Sequence, residues 1–371
     1  MIDQASSPSP TALVPDAIEL RDIQSVLVLK LRHHGDVLLT SPVFSVLKSR
    51  APHAAIDALV YDETAEMLSL HPAIRTVHVI GRKWRGLGYL DRARKEWRLF
   101  KTLRAARYDL LVHLTEHPRG AWLARALHVR AAVAPVRKAR WWKKSFTHRY
   151  PVVTGNRRHT VETNLDALRR IGIQPGVEER ALVLVPGPEA AKHVQGLLAA
   201  HGLVEKQFIH VHPTSRWRFK SWPAPAVAAM IDSLEMRGQR VALTAAPAAK
   251  ERDFIREVLA CVHTHPVDLS GALTLKQLAA LTARARLFVG IDSAPMHIAA
   301  AMQTPVVALF GPSGEIDWGP WKVPHRIVVA TEFPCRPCGY DGCGGGKVSE
   351  CLISIPPAKV LAAIDELLAA A

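Results

Sequence analysis

From Ser25 onward, short β-branched and leucine-rich runs alternate with amphipathic stretches. SVLVLKL (25–31) is apolar at almost every position and predicts a strand buried on both faces, VLLTSPVFSVLKSR (37–50) a helix, and AAIDALVY (54–61) a second strand. TVHVI (76–80) and DLLVHL (109–114) extend the series, separated by helical segments. The period is lost over 135–158, PVRKARWWKKSFTHRYPVVTGNRR, which predicts an excursion from the domain, and a helix follows over 160–172. A second series starts at FIHVHP (208–213) and continues through helix 223–237, strand 239–245, helices 249–260 and 274–284, strand ARLFVGI, helix 294–302 and strand TPVVALFG. PPAKVLAAIDELLAA closes it as an amphipathic helix.

Strands alternating with helices imply parallel sheets covered on both faces. The reading is therefore α/β: a lead-in over 1–22 expected to be disordered, an N-terminal Rossmann-like domain over 23–175, a Pro/Gly-punctuated linker over 176–206, and a C-terminal Rossmann-like domain over 207–371. Ligands of open α/β sheets bind at strand carboxyl ends, so a cleft is expected between two such sets. A length of 371 residues suits about two domains, and 49% hydrophobic content excludes global disorder. No run reaches the roughly 18 uninterrupted apolar residues of a spanning helix. The first residues, MIDQASSPSPTALVPD, lack a basic region followed by an apolar run, which points to a cytoplasmic address.

Charge changes this picture because it is local. The chain carries a net +15, yet residues 82–170 alone hold 23 Lys/Arg against 6 Asp/Glu, while 171–371 hold 19 against 18. The same basic segment contains Trp84, Trp97, Trp122, Trp141 and Trp142. Nucleic acid, an anionic membrane surface and an acidic glycolipid all fit, as does a merely solvated face. No helix-turn-helix, zinc-finger or RNP-type sequence accompanies the charge, which sets nucleic acid aside. Cys335, Cys338, Cys343 and Cys351 form C-x₂-C-x₄-C-x₇-C in a Gly/Pro-rich loop. The spacing matches no strong zinc template; a metal knuckle, reduced thiols and an opportunistic disulfide stay open.

Three stretches carry chemistry. After the first strand comes Lys30-Leu31-Arg32-His33-His34-Gly35-Asp36, in which Asp36 is either a helix cap or a general base at a strand end. HPTSRWRFKSWP (212–223) offers Thr214, Ser215, Arg216 and Lys220 to a pyrophosphate. GIDSAPMH (290–297) opens a helix whose amides attract anions, while Asp292 repels a phosphate against it and so caps the helix or accepts sugar hydroxyls. No H-x-x-H spacing suggests a catalytic metal, and no G-x-S-x-G suggests a hydrolase.

These residues match a pattern. LVLKLRHHGDVLLTSPVFSVLK, KEWRLFKTLRAARYDLLVHL, HTVETNL, HPTSRWRFKSWP, the run from LSGALTLKQ to VVALFGPS and the closing I-x-P-x-x-V helix together resemble the lipopolysaccharide heptosyltransferases of glycosyltransferase family nine. The opening Lys-Leu-Arg-His-His-Gly-Asp and the His-Pro-Thr-Ser-Arg-Trp stretch look most like the heptosyltransferase III branch. The resemblance implies a GT-B fold with an acceptor-binding N-terminal domain and a nucleotide-sugar-binding C-terminal one. It also implies an inverting, metal-independent transfer from ADP-L-glycero-D-manno-heptose to a phosphorylated lipopolysaccharide inner core, with no cofactor. Carried over by motif, Asp36 matches the catalytic aspartate, Lys220 the lysine on the donor phosphates, and Asp292, Ser293 and His297 the D-[ST]-x-x-x-H signature beside the donor, with Met296 within it also expected to contact the donor. Glu251 falls where the family has a carboxylate for the donor ribose, although Thr244-Ala245-Ala246 stands in place of the usual glycine-rich lead-in. Arg32, His33, His34, Arg140, Lys143 and Lys144 are then expected to grip the acceptor, and the basic, Trp-rich segment to meet an anionic cytoplasmic membrane surface. A monomer is expected. The alternatives are heptosyltransferase I or II, or another nucleotide-sugar-dependent hexosyltransferase of this fold.

Overall fold

Two wholly parallel sheets of six strands each account for the alternation. The computed structural model describes residues 14–153 and 157–370, and the chain divides between Val183 and Leu184 into two units.

The first unit carries β1 (Ser25–Leu29), β2 (Ala55–Tyr61), β3 (Thr76–Ile80), β4 (Leu110–His113), β5 (Ala131–Pro135) and β6 (His148–Tyr150), in the spatial order β3-β2-β1-β4-β5-β6. Its helices are α1 (His34–Leu38), α2 (Ser41–Arg50), α3 (Tyr89–Ala105), α4 (Pro118–Ala126), α5 (Arg140–Lys143) and α6 (Thr160–Arg169). All five residues of β1 are buried, as a central strand covered by helices on both faces requires. Leu29 pairs with Leu59 of β2 on one side and His113 of β4 on the other. Strand order therefore reverses at β1/β4, and the segments leaving these strands flank the point where doubly wound sheets hold ligands.

The second unit repeats this order. It holds α7 (Pro188–Ala200), β7 (Phe208–His212), α8 (Ala224–Met236), β8 (Arg240–Leu243), α9 (Ala249–Leu259), β9 (Val267–Asp268), α10 (Leu275–Arg284), β10 (Leu287–Ile291), α11 (Ala294–Ala301), β11 (Val306–Leu309), α12 (Glu315–Trp318), β12 (His325–Val328), α13 (Glu350–Ile353) and α14 (Pro357–Ala370), with strands arranged β12-β11-β10-β7-β8-β9. The reversal here falls at β7/β10. Period-2 alternation sorts β7: Ile209 and Val211 join the core with Phe254 and Ile364, whereas Phe208 joins the opposite core with Val194 and Leu281. His210 and His212 share the parity of Phe208.

Three expectations about organisation change. Residues 1–13 lie outside the described residues, but the rest of the expected lead-in is docked: Ile18 N–H donates to Ile171 O at 3.0 Å, and Asp16 takes both guanidinium nitrogens of Arg170 at 2.6 and 2.8 Å. That pairing holds the Asp16 carboxyl down to about 2. The expected linker 176–206 contains α7, whose Pro188 sits in the first turn, where a missing N–H costs nothing. Glu179, also in that stretch, binds Ser49 and Arg50 of α2 at 3.0 and 2.8 Å, tying the segment to the first unit. The supposed excursion supplies α5 and β6 to the first unit, because Trp142 is 0% exposed and donates its indole N–H to Pro135 O at 2.8 Å.

Helix α3 is the outlier of the fold. Leu103 is its one fully buried residue among those described, and its basic side chains face solvent. Among the described residues no helix is long and apolar enough to cross a membrane.

Candidate active site

At the first reversal point, Lys30 leaves β1 and is buried, donating to Asn164 Oδ1 of α6 at 2.9 Å and to Leu114 O beyond β4 at 3.2 Å. Asn164 in turn donates to Leu39 O, so one buried amide ties the β1 and β4 exits to the α1/α2 junction. Burial pushes the Lys30 ammonium down to about 8, with Asp36 pulling the other way. Asp36 lies in the first turn of α1, where His33 is the N-cap and makes no side-chain cap bond. The capping alternative for Asp36 is thus not realised. Its carboxylate instead lies 4.0 Å from the Arg32 guanidinium, with side-chain exposures of 17% and 63%. Arg32 is solvent-facing, whereas His34 Nε2 contacts Glu63 O at 2.8 Å and so is tied to the loop after β2. Behind them, His113 is fully buried, stacked on Phe146 with Nε2 3.0 Å from His117 O, and burial drives its imidazole down to about 3.

At the second reversal point the decisive contact is an ion pair. Lys220, in the turn after β7, donates to Asp292 Oδ2 at the exit of β10. Asp292 is therefore Lys220's counter-ion rather than the α11 cap; Ser293 is the N-cap, makes no side-chain cap bond and donates its hydroxyl to Ile291 O at 3.3 Å. Ser215 accepts from Trp217 N–H at 3.1 Å, and Arg216 is exposed. Two of the expected donor contacts are buried. Met296 is 0% exposed and packs inward from α11, and Thr214 is 1% exposed and spends its hydroxyl on Glu251 Oε2 at 2.7 Å. His297, also expected beside the donor, is buried in the same helix. Glu251, the expectation resting on a departure from the family pattern, stands in the first turn of α9 and is held by Thr214.

Residues not singled out in the sequence complete this site: His210, His212 and Thr244. Their signal was present in the alternation of FIHVH, which puts both imidazoles on one face of β7, and the His210–Ala242 register carries the next pair to Thr244.

The basic segment resolves into two surfaces. Arg140, Lys143 and Lys144 are exposed on and just after α5. Trp97 and Trp122 are 57% and 56% exposed and pack on either side of Phe100, with ring centroids at 5.7 and 5.3 Å. Trp142, by contrast, belongs to the core. Cys335, Cys338, Cys343 and Cys351 are free thiols, and among the described residues no three His, Cys, Asp or Glu side chains are arranged to hold a metal. Cys343 Sγ accepts from Glu350 N–H at 3.4 Å.

Two Rossmann-like units of identical strand order, each with its polar groups at the order reversal, give the chain the architecture of the GT-B class. The chain belongs to glycosyltransferase family 9 (heptosyltransferase), which matches residues 96–348. It is 36% identical over 342 residues to lipopolysaccharide heptosyltransferase 3 of Escherichia coli, covering 91% of this chain and 97% of that one, which bears out the resemblance to the heptosyltransferase III branch. Among solved structures, a family 9 glycosyltransferase from Veillonella parvula superposes with a TM-score of 0.81 at 23% identity, covering 96% of this chain and all of that one. E. coli heptosyltransferase WaaC with ADP-2-deoxy-2-fluoro heptose gives 0.69 at 19%, covering 92% and 99%.

Proposed function

We propose that this enzyme transfers L-glycero-D-manno-heptose from ADP-heptose to the phosphorylated inner core of lipopolysaccharide, adding the heptose assigned to the heptosyltransferase III branch. The observation that carries this reading is the identity to heptosyltransferase 3 along nearly the whole of both chains.

The residues give it a mechanism. An acceptor hydroxyl is a poor nucleophile until a base takes its proton, and Asp36 is an incompletely buried carboxylate at the β1/β4 reversal that serves no cap. As the new C–O bond forms and the bond to ADP breaks on the opposite face, the anomeric centre inverts and the proton passes to Asp36. ADP leaves with developing negative charge, which Lys220, Arg216 and the uncapped N-terminus of α11 stabilise. In this metal-independent reading Lys220 exchanges Asp292 for the diphosphate, and Asp292 then meets sugar hydroxyls. Arg32, Arg140, Lys143 and Lys144 attract the phosphates of the acceptor. Trp97 and Trp122 favour a membrane interface, so we place the enzyme at the anionic inner face of the cytoplasmic membrane.

Incubation with ADP-heptose or UDP-sugars and a series of truncated core acceptors, followed by linkage mapping, tests donor, acceptor and branch together. Heptose appearing as a side branch on the inner core supports the assignment; transfer from a UDP-sugar instead sinks it.

A further inference from the structure

Resting on the reading of Asp36 as the general base, we propose that Lys30 and Asn164 form a buried clamp that positions this carboxylate. Asn164 fastens the short helix bearing Asp36 to the exits of β1 and β4, and Lys30 supplies a fixed, desolvated positive charge that keeps Asp36 ionised as a polyanionic acceptor arrives.

Helix α1 needs an outside anchor. It is five residues long, and a single turn does not hold itself together in water, because fixing its dihedrals costs more than its few internal bonds give back. Leu39 is its C-cap, and the Leu39 amide donates to Gly35 O at 3.0 Å, closing the turn in which Asp36 lies. Asn164 of α6, 3% exposed, donates its Nδ2 to the carbonyl of that same residue at 3.0 Å. At the start of the turn, His34 Nε2 meets Glu63 O at 2.8 Å. The helix is thus held at both ends, and the buried hold is the one from α6.

The Asn164 amide can face only one way. Leu39 O can only accept, so the amide nitrogen belongs there; Oδ1 is left for Lys30, whose ammonium can only donate, at 2.9 Å. A flipped amide would lose both bonds. Lys30 gives a second proton to Leu114 O at 3.2 Å, so two side chains join β1, the exit of β4, α1 and α6. The asparagine of HTVETNL thereby gains a role beyond the helix it sits in.

Charge completes the clamp. Both acceptors of Lys30 are neutral, so its charge is not cancelled where it is bound, and Lys30 is 7% exposed. Burial lowers the ammonium toward neutrality while Asp36 pulls it back, which leaves Lys30 mostly protonated at pH 7. The surrounding groups do not duplicate it. Arg32, 4.0 Å from Asp36, faces solvent and is screened by salt. Arg82, reaching in after β3, pairs with Glu63 at 2.8 Å and donates to Arg32 O at 3.4 Å. His33 is the N-cap of α1, His34 is tied to Glu63 O, and His113 of β4 is held neutral by burial. That leaves Lys30 as the buried cation facing Asp36. The phosphates of an incoming acceptor would drive a proton onto a nearby carboxylate, and a desolvated cation opposes them.

Heptose transfer from ADP-heptose to a truncated core acceptor, followed across pH, tests this on the full chain, with ADP affinity measured by calorimetry. Lys30→Met removes the charge at nearly constant length. A carboxylate that loses a neighbouring cation holds its proton to higher pH, so the acid limb of kcat/KM should move up by about one pH unit, a roughly ten-fold loss along that limb. Asn164→Leu removes the tie to α1 and should lower kcat by about ten- to a hundred-fold, with donor KM and ADP affinity changed by no more than about two-fold. Partial unfolding would instead scale kcat equally at every pH and leave the limb where it was. If Lys30→Met does not fold, Lys30→Gln, which is uncharged but keeps an N–H for Asn164, is read in its place. An unmoved acid limb in the folded uncharged variant overturns the proposal, as does an unchanged kcat in Asn164→Leu, while Asp36→Asn stays impaired. Near-normal turnover in Asp36→Asn overturns the reading of the base and the proposal with it.

Discussion

The two units share a strand order and a position for their polar groups, yet they solve opposite electrostatic problems. Residues 82–170, all in the first unit, carry 23 basic against 6 acidic side chains, whereas residues 171–371 carry 19 against 18. At its reversal point the first unit sets a buried ammonium and an exposed guanidinium around one carboxylate. The second sets two neutral imidazoles and three hydroxyls behind another, and spends its one lysine there on an aspartate. A polyanionic acceptor on a charged surface calls for long-range attraction, which net charge supplies. A nucleotide calls for fixed short-range geometry, which buried neutral hydrogen-bonding groups supply at no net charge.

If the first unit holds the acceptor and the second the donor, as proposed, their defects should be separable. Asp36→Asn should lower heptose transfer by about 10² to 10⁴ while ADP affinity, by calorimetry, stays unchanged. A parallel loss of nucleotide binding would break the division between the units. Next in size, neutralising Arg140, Lys143 and Lys144 together should weaken association with anionic vesicles by roughly a hundred-fold, at about 1 kcal/mol per charge. The remaining association should be less steep in salt, and ADP affinity again untouched. Salt-insensitive binding in a flotation assay would argue against a charge-driven surface.

The smallest effect concerns Lys30. In the unfolded chain its ammonium holds its proton to about 10.5, whereas in the fold it releases it at about 8. Between those values the unfolded state binds more protons, so this group makes the protein more stable as pH rises through the window, by about 1 kcal/mol between pH 8 and 9. Urea melts at both pH values should show that gain in the original protein and not in Lys30→Met.

What the chain disclosed in advance followed from burial. β1, β2, β4, β7 and β10 lie inside parallel sheets and read as largely apolar runs, so their limits fall within a residue or two of those expected. α5 and β6 were hidden because PVRKARWWKKSFTHRY mixes an inward Trp142 with outward Lys143 and Lys144, which erases the period. α7 was hidden because Gly187 and Pro188 read as a linker although they begin a helix. At the site, Asp36 and Lys220 announced themselves through neighbouring motifs. The roles of Thr214 and Met296 could not be read the same way, since whether a residue after a strand turns to solvent or to the core depends on partners distant in sequence, here Glu251 and the packed face of α11.

Helix α3 leaves one last consequence. Seventeen residues with a single fully buried leucine, held otherwise by half-buried contacts such as the Glu96–Arg119 pair and Phe100 on Trp122, have less to lose by opening than the sheet, because the helical bonds they give up are replaced by bonds to water. Its amides should therefore exchange with solvent deuterium through local fraying, well ahead of those in β1 and β4. The segment that carries Trp97 can unwind and re-form against whatever it touches while the sheet beneath it stays intact.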